Sequence, residues 1–144
     1  MIKTQRRVAD PERFARGLLD TSVVVDLEHL DNDALPLEPA ICTITLGELA
    51  AGPVAARNND ERAIRQERLQ RTEATFDPLP FGLSAARAYG RVYAHVAASG
   101  RKPRGARSLD LLIAAVALAE ALPLYTRNPK DFAALKDLIT IVEV

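Results

Sequence analysis

Carboxylate residues stand beside apolar segments at three separate places in the chain. Asp20 ends one apolar run, Glu48 follows another after a short polar stretch, and Asp110 directly precedes a nine-residue apolar run. Crowded carboxylates repel one another and raise one another's pKa unless a cation lies among them. Carboxylate oxygens are the ligands that Mg2+ prefers in proteins, so the pattern favours a divalent-cation site suited to phosphate chemistry.

Each acid also has a purely structural interpretation. Thr45 and Glu48 have the spacing of a capping box. Asp110 fits the first turn of a helix, where the helix dipole favours an anion, and Asn128 is an ordinary N-cap residue type. The structural interpretation is weakest for Asp20, because Ser22 could cap the following helix without it. It is also weak for Asp110, because a buried carboxylate without a partner costs several kcal/mol.

The elements that must position these residues alternate between strands and helices. This alternation predicts one α/β domain, with a mainly parallel central sheet between helices on both faces. In such a sheet, ligands bind outside the carboxyl ends of the strands, so acids from distant segments can meet there. The predicted strands are residues 17–19, 40–44, 123–126 and 139–144, with a weak edge strand at 76–81, and the predicted long helices are 60–75, 84–100 and 108–122.

Length and composition set further bounds. The chain has 144 residues, 48% hydrophobic and 26% charged, which is typical of one globular domain. We expect residues 1–16 to be an extension and residues 17–144 to form the domain. The single cysteine, Cys42, lies in an apolar run and predicts a buried thiol in a reducing compartment. No apolar stretch has the ~18–20 residues of a membrane span, and the first residues do not have the pattern of a signal peptide, so a cytoplasmic location is expected.

Charge is distributed unevenly although the formal net charge is zero. Residues 18–52 carry seven acids and no lysine or arginine, whereas residues 57–107 carry eleven bases and five acids. In one interpretation, the acidic segment binds metal ions and the basic segment binds phosphates. In the other, the two segments form solvated helix faces of opposite charge.

Other chemistries find little support in the sequence. It has no glycine-rich phosphate loop, no Gly-x-Ser-x-Gly turn and no Cys/His zinc pattern. His29 and His95 lack the spacing of a metal pair or of a nucleophile–base pair, so we expect both to be structural or exposed.

Four segments in order along the chain carry the residues singled out above. The segments are Leu-Leu-Asp-Thr-Ser at 18–22, Thr-Leu-Gly-Glu-Leu at 45–49, Ser-Leu-Asp-Leu-Leu-Ile-Ala-Ala at 108–115 and Tyr-Thr-Arg-Asn-Pro-Lys-Asp-Phe at 125–132. They resemble the successive motifs of PIN-domain proteins, and specifically of the VapC-type toxins of bacterial type II toxin–antitoxin systems. The resemblance covers about residues 17–144.

The resemblance implies an endoribonuclease that depends on Mg2+ or Mn2+. By carry-over, Asp20, Glu48 and Asp110 match the family's acidic positions and would bind the metal. Asn128 falls where many relatives have a fourth aspartate, and Asp131 would compensate in part. This departure leaves open whether the protein binds one metal or two.

The resemblance also implies the surroundings of the site. Thr21 or Ser22 matches the hydroxyl that steadies the acids in such proteins. The family fold is a parallel sheet between helices and is usually dimeric, sometimes within a larger toxin–antitoxin assembly. Its partner is a VapB-type antitoxin whose C-terminal segment runs into the active-site groove, and its substrate is structured RNA such as tRNA or ribosomal RNA.

Basic residues gain a role within this interpretation. A loop just before Asp110 is close enough in sequence to hold phosphates beside the metal, whereas four arginines of the helix at 60–75 drift around its surface. Phosphate contacts supply salt-dependent affinity and carry no sequence information. The expected RNA-binding residues are Arg101, Lys102, Arg104 and Arg107; the helix arginines are Arg62, Arg65, Arg68 and Arg71.

Two other functions remain open from the sequence. A binding module of the same fold that has lost catalysis is compatible with Asn128, although three acids are intact. A structure-specific DNA nuclease could use the same site chemistry.

Overall fold

The fold is built on a four-stranded parallel sheet. The computed structural model describes residues 13–101 and 106–144, with residues 106 and 107 described by their backbone alone. The strand order is β2-β1-β3-β4, and each neighbouring pair is parallel, which confirms the predicted sheet. The strands are β1 (Arg16–Leu19), β2 (Glu38–Ala40), β3 (Leu124–Thr126) and β4 (Ile141–Glu143).

Helices connect the strands. The long connection from β2 to β3 contains four of them, and short 3-10 segments complete the links around β2 and β4. Within the described part of the chain, no helix is long and apolar enough to span a membrane. The helices are α1 (Thr21–Val25), α2 (Thr43–Ala51), α3 (Asn59–Thr75), α4 (Leu83–Ala98) and α5 (Ala106–Ala119), and the 3-10 segments are Leu27–His29, Asn32–Ala34 and Pro129–Leu135.

The core has two parts, one on each face of the sheet. Successive strand residues point to opposite faces, so Leu18 and Leu19 belong to different clusters. Leu18 packs with the buried residues of α4 and α5, whereas Leu19 packs with Val23 of α1 and Leu49 of α2. Helices therefore cover both faces, as the alternation of elements predicts.

The second strand and the helix after it begin earlier than predicted. The strand occupies Glu38–Ala40, and α2 already begins at Thr43, so Thr45 lies inside the helix. After Ala40, residues 41–43 pair with Leu79 and not with β1. The Leu79 N–H donates to Ile41 O, and the Thr43 N–H donates to Leu79 O. The capping-box interpretation of Thr45 and Glu48 is therefore wrong, and the weak strand at 76–81 is reduced to this single bridge.

Three more boundaries differ from the predicted ones. α5 begins at Ala106, which makes Asp110 its fifth residue and not part of its first turn. The helix ends at Ala119, because the chain turns at Ala121, whose φ of 54° lies in the left-handed region. The last strand begins at Ile141, since Ile139 N–H still donates to Leu135 O.

Candidate active site

Asp20 is fixed at the carboxyl end of β1. Its backbone N–H donates to Tyr125 O at 3.0 Å, which ties it to the neighbouring strand β3. Asp20 as a whole is 3% exposed, and its Oδ1 accepts from Val23 N–H at 3.1 Å, which makes Asp20 the N-cap of α1. The alternative that Ser22 caps this helix is wrong, because the Ser22 hydroxyl instead donates to the same Oδ1 at 2.6 Å.

The fixed position of Asp20 depends on close strand packing. A Cβ atom on Gly17 would lie 2.5 Å from Cε1 of Tyr125 and 3.0 Å from Pro36. Only glycine lets the Tyr125 ring lie this close to β1. Tyr125, whose carbonyl accepts from Asp20 N–H, therefore packs its ring against Gly17.

Glu48 is held by a second hydroxyl. The Thr21 hydroxyl donates to Glu48 Oε1 at 2.6 Å, and the Thr21 and Thr45 hydroxyl oxygens lie 3.1 Å apart. Thr45 is completely buried, so this chain of hydroxyls runs from the core of α2 to the carboxylate. Sequence reasoning missed Thr45 as a site residue, although its position three residues before Glu48 on a helix places both on one face.

The two hydroxyls predicted as alternatives are both engaged. Thr21 contacts Glu48, and Ser22 contacts Asp20, so each carboxylate has its own hydroxyl donor. Ser22 Oγ also accepts from Arg127 N–H at 3.0 Å, which links the end of β1 to the loop after β3. Adjacent residues at the start of α1 therefore connect α2, β1 and β3.

The other predicted acids are less closely joined. Asp110 lies half-buried on α5, directly before the buried Leu111, and it makes contacts of its own. Asn128 and Asp131 are both exposed. Among the described residues, no three acidic, histidine or cysteine side chains form a ready-made metal-binding group. The structure thus places Asp20 and Glu48 around α1 and leaves the full ligand set a prediction.

Asn128 does not act as the predicted side-chain cap. Its side chain makes no capping bond, and its backbone N–H donates to the buried Thr126 hydroxyl at 3.0 Å. The segment that follows is a 3-10 helix, with Pro129 at its start. The backbone bond holds the loop, and the Asn128 side chain is left at the surface.

Within the described part of the chain, no ion pair neutralises the carboxylate of Asp20 or of Glu48. The ion pairs seen there involve neither Asp20 nor Glu48. The guanidinium of Arg127 pairs with Asp26, with Nη1 3.6 Å from Oδ2.

Burial raises the pKa of the Cys42 thiol, and the negative charge of Glu48 raises it further. Cys42 is 0% exposed, so the prediction of a buried thiol is confirmed.

The predicted RNA-binding loop is described only in part. Arg101 is exposed, and its Nη1 donates to Lys130 O at 3.0 Å, which joins Arg101 to the 3-10 segment after β3. Lys102 and Arg104 lie outside the described residues, and Arg107 is described by its backbone alone. On α3, by contrast, Arg62 and Arg65 donate to the backbone carbonyls of Pro53 and Gly52 and Arg71 pairs with Glu28 and Glu67.

Both histidines are exposed, as predicted. His29 lies beside Glu28, with Nε2 3.5 Å from Oε1, and His95 Nδ1 is 3.1 Å from Arg91 O on the same helix. Neither contact joins a histidine to Asp20 or Glu48.

Comparison with known proteins agrees with this geometry. The PIN domain model matches residues 17–138. The chain is 43% identical over 124 residues to Ribonuclease VapC5 of Mycobacterium tuberculosis, which covers 84% of this chain and 88% of that protein. The crystal structure of VapBC-5 from the same organism matches with a TM-score of 0.79 and 41% identity, covering 90% of this chain and 99% of that chain.

A more distant solved structure shares the fold as well. VapBC2 from Rickettsia felis, bound to a DNA fragment from its promoter, matches with a TM-score of 0.68 and 25% identity over 87% of this chain and 96% of that chain. The sheet order, the residues at the end of β1 and these likenesses lead to one conclusion: the chain belongs to the PIN-domain family and, within it, to the VapC group.

Proposed function

We propose that this protein is the ribonuclease toxin of a toxin–antitoxin pair and that it hydrolyses phosphodiester bonds of RNA with the help of Mg2+ or Mn2+. The relative that is 43% identical over most of both chains is named a ribonuclease. The observation that carries the proposal is the pair Asp20 and Glu48, each held by its own hydroxyl and neither ion-paired within the described residues.

The donor set fits a hard divalent cation. The hydrogen bonds described above use Oδ1 of Asp20 and Oε1 of Glu48, so they do not engage the second oxygen of either carboxylate. Asp20, Glu48 and Asp110 would hold the ion, with Asp131 as a further oxygen donor. When bound, such a cation lowers the pKa of water and stabilises negative charge at a phosphorus centre.

The chain's own residues prepare the site for this chemistry. Ser22 and the α1 backbone fix the orientation of the Asp20 carboxylate, and Thr21 does the same for Glu48. Donors that hold a ligand in place are worth about 10–100-fold in metal affinity or activity. Asn128 is exposed just after β3, and Arg101 donates to Lys130 O in the segment that follows, so the RNA backbone would lie at this end of the sheet.

The partner in this proposal is an antitoxin. The matching solved structures include VapBC-5, a member of the VapBC family of toxin–antitoxin systems, and VapBC2. We propose that a VapB-type antitoxin binds and neutralises this chain. A homodimer, larger toxin–antitoxin assemblies and a cytoplasmic location are part of the same proposal.

The function is tested by incubating total cellular RNA with the purified, antitoxin-free protein in Mg2+, in Mn2+ and in EDTA. We expect discrete fragments with either metal, none in EDTA and none from Asp20→Asn. A parallel reaction with structured DNA separates a DNA nuclease from a ribonuclease. Well-folded protein that yields no metal-dependent fragments from RNA or DNA would favour a PIN-fold binding module instead.

A further inference from the structure

Arg127 occupies a special position at the end of β3. Its backbone N–H donates to Ser22 Oγ at 3.0 Å, and Ser22 Oγ donates to Asp20 Oδ1 at 2.6 Å. Two hydrogen bonds therefore connect the Arg127 backbone to the buried carboxylate. The residue is held next to the proposed active site whatever its side chain does.

The side chain has only a weak structural role in the contacts seen. Its Nη1 lies 3.6 Å from Asp26 Oδ2, and the two side chains are 38% and 46% exposed. Ion pairs this exposed contribute little to stability, because water screens them and two side chains lose freedom. A guanidinium has five N–H donors in a planar arrangement that matches phosphate, so this pair leaves donors for another anion.

The charge of the site creates a need for such a cation. Asp20 and Glu48 repel an approaching phosphodiester, and so does Asp26 at the other end of α1. A positive group at the rim offsets this repulsion and fixes the position of the RNA backbone. Lys130 lies three residues after Arg127, and Arg101 donates to the Lys130 carbonyl. Two further cationic residues are therefore close to Arg127.

We propose that Arg127 binds an RNA phosphate beside Asp20 and that Asp26 competes with this phosphate for the guanidinium. This inference rests on the proposed nuclease function and adds an RNA-contacting residue to it. Asp26 then weakens RNA binding by occupying Arg127 in the free protein.

The first test measures RNA binding in EDTA, where no cleavage is expected. The fluorescence anisotropy of labelled, unfractionated tRNA reports the binding. Any RNA serves, because a phosphate contact carries no sequence information. We expect Arg127→Ala to weaken binding about tenfold and to reduce the salt dependence by about one ion. Arg127→Lys should keep the salt dependence and recover only part of the affinity. Both variants retain the backbone bond to Ser22.

The second test concerns the competition. Asp26→Asn should tighten tRNA binding severalfold, and this gain should vanish in the Arg127→Ala background. The matched control is Asp33→Asn, which removes the same charge from a pair with Arg13 at the same 3.6 Å, before the start of β1. The control should leave tRNA affinity unchanged.

The outcomes separate this inference from the function on which it rests. An Arg127→Ala variant with wild-type affinity and salt dependence overturns the inference, even if the protein cleaves RNA normally. A gain from Asp26→Asn that persists without Arg127 overturns the competition and shows a general charge effect. Arg127-dependent tRNA binding by a wild-type protein that cleaves no RNA supports the contact while the proposed nuclease function fails.

Discussion

The carboxylates of this protein are held in two different ways in two regions. At the carboxyl end of β1, Asp20 and Glu48 accept hydrogen bonds from serine and threonine hydroxyls. On α3, Glu61 pairs with Arg57 and Arg65 one turn away on either side, and Glu67 pairs with Arg71. Hydroxyls orient a carboxylate and leave its charge in place, whereas arginines neutralise it.

The difference separates a site from a surface. The α3 pairs are of the i,i+4 kind that stabilises a solvated helix by a few tenths of a kcal/mol each. The hydroxyl contacts add no positive charge near Asp20 and Glu48, so the full attraction for an external cation remains. A carboxylate held by neutral donors is therefore the better candidate for metal binding, although both kinds are acids on or near helices.

The largest effect should come from Asp20→Asn. Asparagine caps helices about as well as aspartate, so α1 and the fold should persist, slightly stabilised by the lost repulsion. Metal-dependent RNA cleavage should fall by more than ~10–100-fold, which is the usual loss when a residue that only orients a metal ligand is removed. Cleavage rates with Mg2+ and thermal unfolding check both parts. The control is Glu61→Gln on α3, which should cleave like the wild type; equal rates for wild type and Asp20→Asn would refute the site.

A smaller effect is expected from Thr21→Val, which removes the hydroxyl that donates to Glu48 and keeps the side-chain shape. Cleavage should drop about 10–100-fold, because Glu48 loses the donor that orients it. The matched control is Thr72→Val on α3, whose hydroxyl donates only to Arg68 O within its own helix in the contacts seen. If both valine variants lost activity equally, the loss would reflect folding and not the site.

The smallest effect concerns the arginine-paired carboxylates and pH. The hydrogen bond from Arg57 is the main reason that the pKa of Glu61 lies below its usual value. A lowered pKa in the folded state means that stability from Glu61 is present at neutral pH and is lost as pH falls through that lowered pKa. The wild type should thus be slightly more stable than Glu61→Gln near neutrality, and the difference should vanish in acid. Urea unfolding across this range measures it, with Glu73→Gln on the same helix as control.

The general fold could be predicted from the sequence, because apolar strands alternate with helical segments and each has its own composition. The exact start of α2 could not, since it depends on the bridge between Cys42 and Leu79, residues far apart in the chain. The acids could be singled out by type and position. Their partners could not: nothing local indicates that Thr21 turns towards Glu48 while Ser22 turns towards Asp20, because that choice follows from how α1 packs against α2 and β3.

The bond between Ser22 and the Arg127 backbone also has a consequence for the order of folding. The two residues are 105 positions apart, and β1 lies between β2 and β3 in the sheet. During synthesis, β1 and β2 are available long before β3 leaves the ribosome, so the early chain can pair only part of its sheet. The loop after β3 can join Ser22 only after β3 has been synthesised. A nascent chain that still lacks β3 therefore has neither the bond from Arg127 N–H to Ser22 nor the bond from Asp20 N–H to Tyr125 O, so Asp20 is not yet fixed in position.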